Sequence, residues 1–381
     1  MEYQNFDEKI RMVGRRLIDA YTQNGILCGI NGPYDDPETE ARNLAHLIII
    51  TAIEIVTFGN NEYLPLLDEM GSELCSLRKE DGLYQMREKA GKDGCNGVIG
   101  HAWINEAFIY LYKVTENSKY LKFACEIAEK HEFQKRLGLW GRPGMGNGED
   151  AIDFTFNHQL WYAATLAELN NIVNNKNSEE ELDIFMKNLK YNFCVMYDGK
   201  VAHSIYRHLN TTLNIKNYVK KLMNNFNEKK ARPSFAYKEE GYHMFNMMAF
   251  ARIYNIYPKH SFFETKEFKK TIEYINNGLF LKGLLSKSID LDLSFRNKIE
   301  NKDEKSINIY GYPYNVPGFE ILYASRVFQG MINSDVVDEC KKVQFKLTFD
   351  DNEGVFGSKC HDKNTVNYRV YEYYRYLEIV K

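Results

Sequence analysis

Several features that mark large classes of protein are missing from this sequence. Its seven cysteines are an odd number and show no paired spacing, which favours reduced thiols over a disulfide framework. The longest apolar run, residues 47–53, ends at Glu54 and is far shorter than the ~20 residues of a membrane helix. The first residues, MEYQNFDEKI, lack the basic-then-apolar pattern of an export signal. We therefore expect a soluble cytoplasmic protein with no membrane span.

An excess of charge of one sign is missing as well. The 49 Lys and Arg residues nearly balance the 52 Asp and Glu residues, and the charges are scattered along the chain. The sequence has no basic face, which argues against nucleic acid as a partner. Aromatic side chains, by contrast, make up 14% of the residues, and we expect most of them in the core. Some can also stack on the faces of sugar rings in a binding cleft.

Apolar residues recur at three- and four-residue intervals along most of the chain. This period is typical of helices, and it predicts about twelve of them with little strand. The predicted helices cover residues 10–21, 44–58, 63–77, 102–114, 120–128, 160–172, 182–196, 242–257, 268–275, 319–331, 336–345 and 366–380.

A glycine followed by two mostly apolar residues stands between alternate helices. A glycine just past a helix end favours a left-handed cap, and the residues after it can form a short extended piece. The repetition predicts six helix pairs in one domain, residues 1–381, closed into an inner ring of helices inside an outer ring. Two longer intervals predict insertions: a short extra helix at 210–230 and a charged, exposed loop at 296–305. The six glycines are Gly25, Gly82, Gly138, Gly199, Gly278 and Gly354.

The second helix of each pair opens with polar residues before it becomes apolar. The first such helix is preceded by Asp36-Pro37, which we interpret as a helix cap with proline in the first helical position. If these helices form the inner ring, their first turns meet at one mouth, where six helix N-termini favour an anionic ligand. The residues at these starts include Arg42 and His46; His101, Trp103 and Glu106; Asp153, Asn157, His158 and Trp161; Glu240, Tyr242, His243 and Asn246; Tyr310, Tyr314, Asn315 and Glu320; and Arg369 and Glu372.

Asn157 and His158 are the most informative pair. An asparagine amide can bind a substrate carboxylate while an adjacent histidine removes or delivers a proton near neutral pH. Trp161, one turn further along, can support the imidazole or a sugar. His101 and His243 occupy equivalent positions in other helix pairs, and this recurrence favours a shared catalytic role. A structural role, as a capping amide and buried histidines, is the alternative.

Two other chemistries are open. Asp153, Glu106, Glu240 and Glu320 can supply the two carboxylates of a glycoside hydrolase, whose separation cannot be read from a sequence. Asp153 and its neighbour Asp150 can equally cap a helix.

A catalytic zinc site is the other possibility. Cys95, His101 and the adjacent Cys360-His361 lie in loops of the same predicted mouth, and such a ligand set with an open position suits zinc. No Cys-x-x-Cys or His-x-x-x-His spacing supports the set, and our main expectation is no metal and no other cofactor. The glycine-rich segment 138–148 lacks the Gly-Lys-Ser/Thr ending of a phosphate-binding loop.

The six helix pairs with polar mouths resemble the (α/α)6-toroid carbohydrate-active enzymes, which include polysaccharide lyases, uronyl hydrolases and sugar epimerases. Residues 156–161, Phe-Asn-His-Gln-Leu-Trp, resemble the Asn-Asn-His-x-Tyr-Trp segment of toroid alginate lyases, from which Phe156 and Leu160 depart. That resemblance implies that Asn157 neutralises a uronate carboxylate and that His158 and a separate tyrosine handle protons. The tyrosine is unassigned, and its candidates are Tyr242, Tyr310 and Tyr314.

At one point the chain also resembles the lanthionine-synthetase cyclases, which are helical toroids with zinc held by cysteine and a Cys-His pair. Cys360-His361 is similar to that pair, whereas the Trp-Cys and Cys-His-Gly signatures are absent.

We expect an all-α, (α/α)6-toroid enzyme that acts on an acidic, uronate-containing oligosaccharide or glycan intermediate. It would remove a proton beside the carboxylate, as a β-elimination lyase or a C5-epimerase does, with His158 as base or acid. This step is slow unless the carboxylate charge is neutralised, which we expect of Asn157 and Arg369. A glycoside hydrolase, a non-catalytic glycan-binding toroid and a zinc-dependent cyclase are the alternatives. The expected catalytic residues are His158, Asn157, His101, Glu106, Asp153, His243, Tyr314 and Glu320, and the expected substrate-binding residues are Trp103, Trp161, Arg42, Arg369, Tyr242, Asn246 and Asn315.

Overall fold

The computed structural model describes residues 6–144, 151–205, 234–286 and 307–381. The predicted helix at 210–230, the predicted loop at 296–305 and Asp150 lie outside the described residues. The described ranges are mostly helical and include two small antiparallel β-hairpins, β1 (Phe133–Gln134) with β2 (Leu139–Trp140) and β3 (Phe349–Asp350) with β4 (Val355–Phe356).

The long helices alternate between an outer and an inner position. Three shorter helices, α8 (Ser234–Gly241), α11 (Leu279–Leu284) and α14 (Lys363–Tyr368), lie in the connections before inner helices. The outer helices are α1 (Phe6–Asn24), α3 (Leu64–Ser76), α5 (Ser118–Ala128), α7 (Lys176–Asn192), α10 (Lys266–Asn276) and α13 (Ser334–Thr348). The inner helices are α2 (Glu40–Phe58), α4 (Ile99–Thr115), α6 (Phe156–Val173), α9 (His243–Ile256), α12 (Pro317–Val327) and α15 (Val370–Val380).

The inner helices form a closed ring. Each packs against the next along the chain, and α15 packs against α2, so that the last helix pair meets the first. The outer helix α1 then covers the seam by contacting both α15 and α2. These contacts confirm the predicted arrangement of an inner ring of helices inside an outer ring.

Burial explains which helix takes which position. In α1 the buried residues, from Ile10 to Tyr21, recur at the helical period and so form one face, which suits an outer helix. In α2 every residue from Ala41 to Ile55 is buried, because the helix is surrounded by neighbours. By length and composition alone α2 could cross a membrane, and 83% of that stretch is buried inside the protein.

The six turn glycines have the predicted left-handed backbone. Their φ angles lie between 62° at Gly354 and 104° at Gly199. At Gly199 a Cβ would also lie 2.6 Å from the carbonyl oxygen of Lys270, so only glycine fits there. The expected extended piece is absent after Gly278, where α11 begins directly at Leu279.

Several predicted helix boundaries are wrong, and the helix predicted for 319–331, for example, ends at Val327. The helix α2 starts at Glu40 after Thr39, so Asp36 does not cap it and the following proline is not its first residue. The helix predicted for 182–196 ends at Asn192. The helix predicted for 366–380 is two helices, α14 and α15, with Arg369 at the junction.

Candidate active site

A cavity lies where the N-terminal ends of the six inner helices meet. It encloses about 520 Å³, including the part that is open to solvent. All six helix pairs contribute to its lining, so residues far apart in the sequence share one site. The lining residues are Asn31, Tyr34, Asp36 and Arg42 from the first pair; Arg87, Lys92, Asn96, Ile99 and Trp103 from the second; Asn157 and His158 from the third; His203, Tyr242 and Phe245 from the fourth; Tyr314 and Asn315 from the fifth; and Arg369 from the sixth.

The imidazole of His158 is the clearest acid–base group of this cavity. Its Nδ1 lies 2.8 Å from Oδ2 of Asp153, and the His158 side chain is 20% exposed. The carboxylate of Asp153 also accepts the backbone N–H groups of Val98 and Thr155, at 3.1 and 3.0 Å. Burial raises the pKa of Asp153, but the imidazole and these N–H groups outweigh it and lower the value to about 2. The ionised Asp153 therefore favours a proton on Nδ1 of His158 and leaves Nε2 as the basic nitrogen.

Gly97 makes this pair possible. Its φ is 68°, and a Cβ at this position would lie 2.0 Å from Oδ2 of Asp153 and 2.6 Å from Nδ1 of His158. Asp153 itself stands two residues before Thr155, the residue that precedes α6, so it does not cap that helix. Its position indicates that it orients His158, which corrects the helix-cap interpretation.

Three tyrosines lie close together in the lining. The hydroxyl of Tyr34 lies 2.9 Å from that of Tyr242, the rings of Tyr242 and Tyr314 have centroids 6.1 Å apart, and Tyr314 donates to Oδ1 of Asn31 at 2.7 Å. Burial is the main reason that the pKa of all three phenols lies above its ordinary value. These groups are therefore neutral O–H donors at neutral pH.

His203 brings a second imidazole to the same cavity. Its ring centroid lies 5.0 Å from that of Tyr242, and its buried Nδ1 has no hydrogen-bond partner in the part of the chain that the structure describes. Burial, followed by the charges of Lys238 and His158, lowers the pKa of His203 to about 3. The ring is therefore neutral at physiological pH and is available as an acceptor.

Arg42 lies buried in the lining beside an aromatic wall. Its Nη1 donates to Glu38 at 2.7 Å, and its guanidinium packs over the ring of Trp103 at 4.2 Å from the centroid. Its Nε is buried and has no hydrogen-bond partner among the described residues. A guanidinium with a free N–H edge can bind a carboxylate.

Arg369 is the second buried guanidinium, and the break between α14 and α15 places it at the cavity. Nη1 donates to the side chain of Asn315 at 2.9 Å, and Nη2 is shared by Glu320 and Glu372, at 2.9 and 2.6 Å. Burial and the neighbouring charge of Glu372 raise the pKa of Glu320 well above its usual range. Burial raises the pKa of Glu372 as well, and the two carboxylates share the single positive charge of Arg369.

His101 and His243 lie outside the cavity lining, which corrects the prediction that they are catalytic. Each is fully buried and accepts a hydrogen bond from the third residue of the preceding glycine turn, at 3.1 and 3.4 Å. Gln159 and Asn367 accept the equivalent N–H in the third and sixth helix pairs, at 3.0 and 3.1 Å. Burial lowers the pKa of both histidines, that of His243 to about 4. The recurrence therefore reflects a side chain that anchors the preceding turn, as seen in four of the six helix pairs.

The glutamates proposed for hydrolysis also lie outside the lining and are engaged in ion pairs. Glu106 is buried 2.6 Å from Arg252, and Glu320 is bound to Arg369. Glu240 is buried 3.4 Å from the ammonium of Lys200. The structure therefore does not bring these three predicted catalytic glutamates to the cavity that contains His158.

Two predicted sugar-binding residues support the lining from behind. Trp161 stacks on Phe245, with ring centroids 4.1 Å apart and planes at 11°, and Asn246, the residue after Phe245 in α9, is buried. His46 is likewise buried and stacks on Tyr371 at 4.0 Å. Of this group of residues, Phe245 lines the cavity, and Trp161, Asn246 and His46 do not.

The weak zinc candidates Cys95, Cys360 and His361 do not come together with His101. No group of three or more His, Cys, Asp or Glu side chains in the described chain is arranged to hold a metal ion. Burial raises the pKa of the Cys95 thiol to about 12, which opposes the thiolate that a metal needs. His361 instead lies 3.3 Å from Asp35. The zinc-site alternative is therefore wrong for these residues.

Several lining residues were missed because they lie in loops before the inner helices. Two of them, Asn31 and Asn96, have φ angles of 54° and 57° and are each followed by glycine. These Asn-Gly dipeptides signal tight turns and could have drawn attention to both loops. The missed residues are Asn31, Tyr34, Asp36, Arg87, Lys92, Asn96, Ile99, His203 and Phe245, whereas Arg42, Trp103, Asn157, His158, Tyr242, Tyr314, Asn315 and Arg369 were predicted and lie in the lining.

Solved structures with the same architecture are carbohydrate-active enzymes. Cellobiose 2-epimerase from Bacillus thermoamylovorans has a TM-score of 0.59 at 11% identity, and the match covers 96% of this chain and 95% of the epimerase. A family 76 glycoside hydrolase from Bacteroides thetaiotaomicron has a TM-score of 0.59 at 9% identity, and the match covers 97% of this chain and 78% of the hydrolase. The fold is an (α/α)6 toroid. The predicted fold class is thereby confirmed.

A third toroid is an inactive variant of an α-1,6-mannanase from Salegentibacter, in complex with α-1,6-mannotriose. Its TM-score is 0.55 at 11% identity, and the match covers 98% of this chain and 100% of the mannanase. Among curated sequences, archaeal glycosylation protein Q of Haloferax volcanii is 27% identical over 90% of both chains. No family model matches the toroid described here.

Proposed function

We propose that this toroid is a carbohydrate-active enzyme that removes a proton from the carbon beside the carboxylate of a uronate unit in a glycan or glycan precursor. The observation that carries the proposal is the Asp153–His158 pair at a cavity that also contains Arg42 and Arg369. The carbohydrate-active enzymes that share the fold support the substrate class. The relative named as a glycosylation protein supports a role in glycan assembly.

In the proposed step, Nε2 of His158 takes the proton, and the electron pair of the C–H bond moves into the carboxylate to form an enediolate. Asp153 stabilises the imidazolium that results. Arg42 and Arg369 stabilise the charge on the enediolate, which is the main obstacle to this reaction. Asn157 lies in the same lining and can donate its amide N–H to the same oxygens.

The fate of the enediolate decides the reaction. A proton returned to the other face of the carbon inverts the centre and makes the enzyme an epimerase. Expulsion of the oxygen on the next carbon, with a proton delivered to it, forms a double bond and makes the enzyme a lyase. Tyr242, with a neutral O–H group, and His203, with a neutral imidazole, also line the cavity and are the candidates for a second proton transfer. Both reactions need such a group, so the product that is formed distinguishes the epimerase from the lyase.

A glycoside hydrolase is the second candidate function, and the fold that the chain shares with a family 76 hydrolase favours it. Hydrolysis by two carboxylates needs both of them at the substrate. Among the described residues that line the cavity, Asp36 is the one carboxylate. It is buried and bound to the ammonium groups of Lys89 and Lys92, at 2.6 Å each. For this reason we place hydrolysis second.

The test is incubation with uronate-containing oligosaccharides in deuterated water. The expected result is deuterium at the carbon beside the carboxylate, or a rise in ultraviolet absorbance from a new double bond, with a fall of about 100-fold or more in His158→Gln. His260→Gln, which alters a histidine outside the cavity lining, is the control. The absence of both signals with every uronate sugar tested would reject the proposal. Sugar release without deuterium uptake would favour the hydrolase, and saturable binding without turnover would favour a glycan-binding toroid.

A further inference from the structure

Two lysine ammonium groups approach one aromatic ring at the edge of the cavity. Nζ of Lys238 lies 4.8 Å from the ring centroid of Tyr34 and 5.4 Å from that of Tyr310. Nζ of Lys92 lies 5.6 Å from the centroid of Tyr34, and both Lys92 and Tyr34 line the cavity. We call Lys92, Lys238, Tyr34 and Tyr310 the lysine rim.

Lys238 has no carboxylate within 4 Å in the described part of the chain. It is half-buried on α8, and burial together with the charge of Lys92 lowers its pKa below the ordinary value. Withdrawing an ammonium group from water without an anion beside it is unfavourable. The aromatic rings compensate for only part of that cost.

The charges beside the lysine rim are also out of balance. Asp36 is the carboxylate of the described lining, and Lys89 and Lys92 share it at 2.6 Å, whereas Arg87, 3.4 Å from Asp36, is bound more closely by Asp93 at 2.9 Å. Burial raises the pKa of Asp36, but its lysine partners outweigh this effect and lower it, so the carboxylate is ionised. With Lys238 added, this edge of the cavity carries an excess of positive charge.

We propose that Lys92 and Lys238 form a phosphate subsite, so that the sugar enters the cavity as a glycosyl phosphate or pyrophosphate. This inference rests on the proposed function, because it assumes that the cavity takes a sugar. Lysines act as point charges that suit phosphate, and two of them match the charge of one phosphate group. Arg42 and Arg369 present guanidinium groups, whose planar fork suits the carboxylate. The two anions of the substrate would thus occupy different parts of one cavity.

The test is calorimetric titration with inorganic pyrophosphate at fixed ionic strength, which needs no turnover. Binding is expected for the unaltered protein, with an affinity about tenfold lower in Lys238→Gln and restored in Lys238→Arg. Lys89→Gln is the control for the loss of a nearby lysine charge, because Lys89 is bound to Asp36 and to the carbonyl oxygens of Tyr34 and Asp35 and lies outside the cavity lining. An unchanged affinity in Lys238→Gln, an equal loss in both glutamine variants or no binding would overturn the proposal.

Two further ligands distinguish the source of the phosphate. A nucleoside diphosphate and a short prenyl pyrophosphate carry the same anion on different groups, and binding of either one through Lys238 supports the subsite. Binding of neither would overturn it. Pyrophosphate binding without deuterium exchange on any uronate sugar would leave the subsite in place and reject the proposed reaction. Deuterium exchange on a uronate sugar, together with unchanged pyrophosphate binding in Lys238→Gln, would support the proposed reaction and reject the subsite.

Discussion

Replacement of Asp153 by asparagine tests the central acid–base pair. In the folded chain the pKa of Asp153 is lowered from 3.8 to about 2, and one pKa unit corresponds to about 1.4 kcal/mol. The ionised carboxylate therefore contributes about 2 kcal/mol to the free energy of unfolding at neutral pH. Because the pKa is lower in the folded state, this contribution is complete above pH ~4 and is lost as the pH falls towards 2.

The substitution is also expected to change the tautomer of His158. An asparagine amide can donate to Nδ1, which would move the ring proton to Nε2 and remove the base. Deuterium exchange on a uronate sugar should then fall by about 10²–10⁴-fold. Three measurements check this: urea unfolding at pH 7 and pH 3, the ¹⁵N chemical shifts of the His158 ring, and the exchange rate.

Asp350→Asn is the control for the loss of a carboxylate that organises a turn. Asp350 accepts the backbone N–H groups of Asn352 and Glu353, at 3.0 and 3.3 Å, and lies outside the cavity lining. This variant should keep its exchange rate. An unaltered exchange rate in Asp153→Asn would refute the reasoning, as would a stability loss of equal size at pH 7 and pH 3.

Two smaller changes probe the same geometry. Gly97→Ala should abolish deuterium exchange, because the added Cβ would lie 2.0 Å from Oδ2 of Asp153. Gly25→Ala is the control, since Gly25 has the same φ of 68° and a Cβ there would meet no heavy atom within 4 Å. That variant should cost only about 1 kcal/mol of backbone strain and keep the exchange rate. Equal rates in the two alanine variants would contradict the assignment. His101→Asn should lower the free energy of unfolding by about 1–3 kcal/mol, measured in urea, and keep the exchange rate of the folded fraction. A selective loss of rate in a stable His101→Asn protein would restore that histidine to a catalytic role.

The fold was predictable because its signals are local. The helical period of the apolar residues and the glycine at each helix end depend only on neighbours along the chain. All six turn glycines, from Gly25 to Gly354, have the left-handed backbone that their position predicts. The boundaries were less accurate where a side chain has a distant partner. Asp36, for example, follows the pattern of a helix cap but forms ion pairs with Lys89 and Lys92 of the next helix pair.

The candidate site was predictable only in part, because sequence position does not distinguish a side chain that anchors a turn from one that faces the cavity. His101, His158 and His243 stand near the starts of their inner helices, yet of these three His158 alone is in the lining. The other two bind backbone N–H groups of the preceding turn. His203 gave no signal, since it belongs to no helix start.

By itself, the sequence determined an alternation of outer and inner helices, the turns between them and the polar residues at each inner helix start. These follow from hydrophobic period and backbone preference, which act over a few residues. Only the tertiary structure decided that Asp153 turns to His158, that Glu320 and Glu106 are neutralised by arginines, and that loops from separate pairs complete the cavity. Hydrogen bonds and ion pairs between distant segments form only when the ring closes, so their partners cannot be read from local pattern.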